Sequence, residues 1–143
     1  MPNCVLELKA LATAYPEIER LGATLVALSP QARTPSSSLG SDGELPFPVL
    51  QDAGCEVAAR YRIVFTVLQE FRTAYLALGY PRLAKTGSTS WVLPIPATYV
   101  LDSAGVVALS YLDADYTTRL EPTEIIVALT HLRTATIPGR NNR

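Results

Sequence analysis

The chain has 143 residues, 48% of them hydrophobic and 17% charged, a balance that describes one folded globular domain with a sizeable core. Its 12 basic and 13 acidic residues are spread out and sum to a net charge of −1, which removes the electrostatic case for nucleic acid or an anionic membrane surface. One histidine, His131, and two cysteines, Cys4 and Cys55, cannot supply a Cys/His zinc cage from a single chain.

The apolar runs are too short to span a bilayer, and the N-terminus lacks the basic start and apolar core of a secretory signal. The expected compartment is the cytoplasm, where a cysteine is more often catalytic or inert than bridged.

In chain order, Cys4, Leu8, Leu11, Tyr15 and Ile18 recur at helical spacing, with Gly22 as the stop and Pro16 predicting a kink or two abutting helices. Residues 23–30, ATLVALSP, read as a strand buried on both faces. QARTPSSSLGSDGELPFP reads as a surface loop rich in Pro, Ser and Gly. A helix then starts at Asp52 or Gly54 and runs through CEVAARYRI.

FTVLQEFRTAYLALG predicts a further helix with Leu68, Phe71, Tyr75 and Leu76 as its apolar stripe and Gly79 as its end. A loop, YPRLAKTGSTSW, leads into LPIPATYVLDSAGVVALSYLD, a β-hairpin turning at Ser103-Ala104-Gly105. The last helix opens at Pro122 and buries Ile125, Ile126, Leu129 and Leu132, and a frayed tail follows from about residue 137. The order helix, strand, helix, helix, hairpin, helix predicts an α/β domain with a mixed sheet over residues 1–143.

That order, with PNC at the front of the first helix and IPATYVLD at the hairpin, resembles the thioredoxin-like superfamily. More narrowly it is similar to the peroxiredoxin-like AhpC/TSA group, whose members carry a W-C-P-x-C-x-x-E-L segment. PNCVLEL matches the later part of that segment, and ATLVALSPQ the following strand. FPVLQDAGCEVAARYRIVF, WVLPIPATYVLDSAGVV and DADYTTRLEPTEIIVAL match the next helix, the hairpin and the closing stretch, so the likeness covers nearly the whole chain. The resemblance implies a thioredoxin-like mixed sheet flanked by helices. It also implies N-terminal truncation. Met1 stands where the first cysteine of the pair would fall, and nothing supplies the interior strand that precedes it. An absent interior strand leaves two rows of backbone groups unpaired, at roughly 1–3 kcal/mol for each that stays buried. A clipped chain, a split protein, or a neighbouring chain filling the gap are the alternatives, and a homodimer is expected.

Cys4 is the first candidate for chemistry. The positive end of a helix dipole favours thiolate over thiol, and the resemblance makes Cys4 the thiol that attacks a peroxide and becomes a sulfenic acid. The other reading is an ordinary exposed thiol on a frayed helix start. Cys55 reads as a resolving thiol by resemblance, or as a small buried hydrophobe from its composition. Pro96, in IPATY, matches the superfamily's cis-proline beside the thiol; the alternative is a trans proline at a strand entrance. By the resemblance, peroxiredoxins place an arginine just before the T-F/Y-V of this strand, where this chain has Ala97. Arg119 has two readings, an arginine that reaches the thiol from the C-terminal part or an exposed, solvated side chain; Glu7, Glu17 and Glu19 read as a solvated helix face, and His131 as a surface or edge residue. Trp91 and Tyr99 are read as core or rim aromatics.

The function implied is a thiol-dependent antioxidant that reduces a hydroperoxide through Cys4 and is restored by a thioredoxin-like thiol. No metal or organic cofactor is implied. Two alternatives stand: thiol–disulfide exchange on a disulfide substrate, and a catalytically degenerate module that self-associates through an open sheet edge.

Overall fold

Leu8, Leu11, Tyr15 and Ile18 line one side of α1 (Pro2–Arg20) in the computed structural model, which describes residues 2–30, 45–77, 91–115 and 117–136. The helix stops as expected at Gly22, with φ at 82°. Ala23 N–H reaches back to the Ile18 carbonyl at 3.2 Å and Gly22 N–H to Glu19 at 2.8 Å, a Schellman closure that glycine adopts without strain. Pro16 does not divide α1 into two helices. It stands on the exposed side, where the carbonyl it leaves without an N–H partner can meet water.

The chain divides into two compact units, residues 1–25, 45–47 and 97–143 in the first and 26–44 with 48–96 in the second. In the first, β5 (Ala97–Leu101) and β6 (Val107–Leu112) form an antiparallel hairpin, and α4 (Pro122–Thr136) packs on it and on α1. The turn is held by Asp102, whose Oδ1 accepts the N–H groups of Ala104 at 2.9 Å and Val106 at 2.8 Å, while Gly105 takes φ 81°. Ile18, Val100, Leu120 and Ile125 are the buried centre, with Leu11, Leu109, Tyr111, Leu129 and Leu132 packed around them. Phe47 is buried beside Tyr15, ring centroids 5.7 Å apart. The expected face of α4 is thus the one that packs.

The second unit holds a parallel pair, β1 (Ala27–Ser29) with β2 (Val49–Gln51), and an antiparallel pair, β3 (Val64–Thr66) with β4 (Val92–Pro94). Parallel and antiparallel pairing both occur, so the α/β architecture is mixed, in three two-stranded ladders among the described residues. Between the pairs lie a 3-10 turn at Ala53–Cys55, α2 (Glu56–Arg60), a second 3-10 turn at Gln69–Phe71, and α3 (Arg72–Ala77).

Several expectations are corrected here. β1 is not buried on both faces: Leu28 and its register partner Leu50 are 53% and 51% exposed. The stretch expected as one helix from Phe65 begins as β3, because Val64, Phe65 and Thr66 suit a pleated ladder and pair with Val92–Pro94. Leu68, Phe71 and Leu76 are exposed rather than a buried stripe. The first hairpin strand is two strands, broken at Ile95–Pro96, and VLQ at 49–51, which the resemblance placed in the next helical stretch, is β2. Gly79, most of both long loops and the tail from 137 lie outside the described residues.

The helix expected from Asp52 or Gly54 through Ile63 is instead a 3-10 turn at Ala53–Cys55 followed by α2 over Glu56–Arg60, with Asp52 bonded to its first turn. The buried Asp52 carboxylate accepts Val57 N–H at 2.9 Å and Ala58 N–H at 3.0 Å, satisfying two of the helix's free donors. Trp91 is a half-buried rim aromatic under the Arg72 guanidinium, 5.1 Å from the ring centroid.

Candidate active site

Cys4 lies in the first turn of α1, half-buried, and Glu7 follows it by three residues on the same face. The third member comes from the far end of the chain. Arg119 precedes α4 in a short segment anchored by buried Leu120, and its side chain is only 14% exposed. Its guanidinium donates from Nε to Glu7 Oε2 at 2.7 Å, from Nη1 to the Thr118 carbonyl at 2.7 Å, and reaches Cys4 Sγ from Nη2 at 3.8 Å.

The solvated readings of Arg119 and Glu7 are therefore both corrected. A partly buried cation keeps its charge only with anionic partners near it. For Arg119, burial works against the charge, and the hydrogen bond and Coulombic attraction of Glu7, with a contribution from Cys4, outweigh it and hold its pKa above the ordinary value. Glu17, by contrast, pairs with Arg20 on the exposed surface, and Glu19 and His131 are exposed as expected. Beside the cluster runs an open groove of about 210 Å³, floored by Leu6, Ala10, Leu11, Leu120 and Pro122, with Glu7 and Arg119 among its walls.

This arrangement sets the Cys4 thiol beside a cation that Glu7 and the Thr118 carbonyl hold in place. With Ala97 at the position where the resemblance puts an arginine, Arg119 is the one the sequence offered from the C-terminal part. Glu7 carried a signal, since acidic residues three positions after a helix-start cysteine share its face.

Cys55 and Pro96 belong to the second unit, and the cluster described is carried by the first unit alone. Cys55 is 2% exposed, and its thiol contacts the Val92 carbonyl at 3.7 Å. Burial, then the Asp52 carboxylate, push its pKa up, so the neutral thiol is favoured. The Ile95–Pro96 bond is trans, which corrects the expected cis-proline. Ile95 N–H closes the β3–β4 ladder on the Ile63 carbonyl at 2.7 Å, and Pro96 sits at the entrance to β5, where no N–H is required of it.

Residues 1–110 match the family model for the AhpC/TSA family. The chain belongs to the AhpC/TSA family. Membership assigns it a thioredoxin-like fold and a redox, peroxidase-like class of function, with redox substrates and a thioredoxin-like reductant in general. No curated protein matches the chain. The matched AhpC/TSA region contains Cys4 and Glu7, while Arg119 lies beyond it. Among the described residues, no helix is long and apolar enough to cross a membrane, and no cluster of three His, Cys, Asp or Glu side chains could hold a metal ion.

Proposed function

We propose that this single domain is a thiol peroxidase, a cytoplasmic antioxidant in which Cys4 reduces hydroperoxides. The observation that carries the reading is the 3.8 Å approach of Arg119 to Cys4 Sγ, with Glu7 fixing the guanidinium from the other side. The Cys4 thiolate attacks the terminal oxygen of ROOH; the new S–O bond forms as the O–O bond breaks. Cys4 becomes the sulfenic acid, and RO⁻ leaves beside Arg119 and takes a proton from water. A thioredoxin-like donor thiol then condenses with the sulfenic acid, releasing water, and a second donor thiol frees Cys4 as the donor disulfide forms.

The test is peroxide consumption coupled to a thioredoxin system. Wild type turns over, Cys4→Ser does not, and activity surviving in Cys4→Ser would refute the assignment.

A second reading, self-association as a homodimer, draws on the exposed register pair Leu28 and Leu50 with Val26 on the same face. An isolated two-stranded ladder is marginal in water, so a further strand or face against it is favourable. Light scattering after gel filtration tests it: a dimer is expected, weakened by Leu28→Glu, and a monomer at all concentrations contradicts it.

A further inference from the structure

We propose that Asp115 is a positioning residue for Arg119, its carboxylate gathering Thr117 into the turn that delivers the guanidinium to Cys4. The inference rests on the peroxidatic reading of Cys4 given above.

Arg119 must meet a thiol that lies 115 residues away in the chain, from a stretch between β6 and α4 whose described residues belong to no regular element. Such a segment holds an arginine in place only if its own backbone is tied down. Downstream, Leu120 is buried in the core and Pro122 opens α4. Upstream, the ties converge on Asp115. Its N–H donates to Asp113 Oδ1 at 2.8 Å, and its own Oδ1 accepts both the N–H of Thr117 at 2.9 Å and the Thr117 hydroxyl at 2.6 Å. Its carbonyl accepts the Thr118 N–H at 3.1 Å and the Thr118 hydroxyl at 3.0 Å. Thr118, held in this way, turns its carbonyl onto Arg119 Nη1 at 2.7 Å. The Asp115 carboxylate thus holds Thr117, and the peptide bond from Thr117 to Thr118 carries that hold to the carbonyl on the guanidinium that touches Cys4. The Thr117 hydroxyl and N–H, with attraction from Arg119, also hold the Asp115 carboxyl below the usual carboxylate range, so it accepts these bonds throughout the neutral range.

The alternative, that Asp115 acts on Arg119 only through its charge, predicts a different response to substitution. Asp115→Asn keeps an oxygen for Thr117 and removes the charge; Asp115→Ala removes both.

The experiment uses the full chain carrying Cys55→Ser and follows Cys4 with three reagents: hydrogen peroxide, neutral iodoacetamide and anionic iodoacetate. The ratio of the iodoacetate to the iodoacetamide rate reports positive charge at the sulfur, which general loosening of the fold does not change selectively. Asp115→Ala is expected to lower that ratio about threefold and the peroxide rate roughly tenfold, while Asp115→Asn stays within about twofold of wild type. Thr117→Val, which removes only the hydroxyl bond, moves the same way by less and serves if Asp115→Ala does not fold. If Arg119→Met lowers the ratio and Asp115→Ala does not, the positioning role is overturned and the peroxidatic reading stands. If Asp115→Asn falls as far as Asp115→Ala, charge rather than the turn is responsible, and the proposal fails. If Arg119→Met changes neither ratio nor peroxide rate, the reading beneath the proposal fails with it.

Discussion

Replacing Arg119 by methionine keeps most of the aliphatic stem and removes the guanidinium, so it isolates the charge placed beside Cys4. At the observed 3.8 Å, unit charges attract by about 4 kcal/mol at the effective dielectric of a protein surface and about 1 kcal/mol in bulk water. The guanidinium is largely covered, yet it shares its charge with Glu7 and borders an open groove, so an intermediate value applies. A loss of roughly 2 kcal/mol in transition-state stabilisation corresponds to about a 30-fold slower reaction with peroxide. The assay is single-turnover thiol loss at fixed pH in the Cys55→Ser background, where serine can keep the bond to the Val92 carbonyl. Arg119→Lys should recover part of the rate, because it restores a point charge without the fork that holds Glu7 and Thr118 together. A peroxide rate for Arg119→Met within twofold of wild type would refute the reasoning, since no cation at the sulfur would then be taking part.

Asp52→Ala should lower unfolding free energy by roughly 2–4 kcal/mol, because it strands the part-buried donor of Val57 and the buried donor of Ala58; chemical denaturation reads this, and a loss below about 1 kcal/mol would contradict it. Arg62 closes α2 with φ at 59°, so Arg62→Gly should stabilise the chain by roughly 0.5–1 kcal/mol, and an unchanged or lower thermal midpoint would count against the strain. Because burial raises the Cys55 pKa, the unfolded chain loses this proton first as pH rises. Stability is then full below the ordinary thiol range and declines from about pH 8.5 upward, and Cys55→Ser should flatten that decline. Cys55 should also resist alkylation in the native chain, and a rapid Cys4–Cys55 disulfide on oxidation would show that it opens to resolve the sulfenate.

The two long helices and the β5–β6 hairpin were legible because each carries its own signal: 3.6-residue periodicity ending in Gly22 or opening with Pro122, and a glycine-containing turn between β-branched runs. In the second unit, β1 and α2 fall within the stretches read as strand and helix, but β2 and β3 were not legible. That unit's strands are three residues long, too short for alternation to show, and Val64–Thr66 became a strand only by pairing with Val92–Pro94, some 28 residues on. Cys4 stood out by its place at a helix start. For Arg119 the reach to the thiol was the weaker of two readings, since an arginine among threonines before a helix looks solvated until the fold of the first unit brings it to Glu7. A contact across that separation leaves no local periodicity. The cis-proline expectation came from the resemblance alone, and the Ile95–Pro96 bond is trans.

The most direct test of a peroxide-reducing site at Cys4 is its rate of sulfenate formation. The Cys55→Ser chain would be mixed with equimolar hydrogen peroxide, sulfenic acid trapped with dimedone, and the modified residue located by mass spectrometry. A site in which Arg119 steadies the developing charge predicts a sulfenate at Cys4 formed at least about tenfold faster than in the same chain unfolded in urea. Equal rates in the folded and unfolded chains would contradict the account, because the fold would then add nothing to the chemistry of a free thiol.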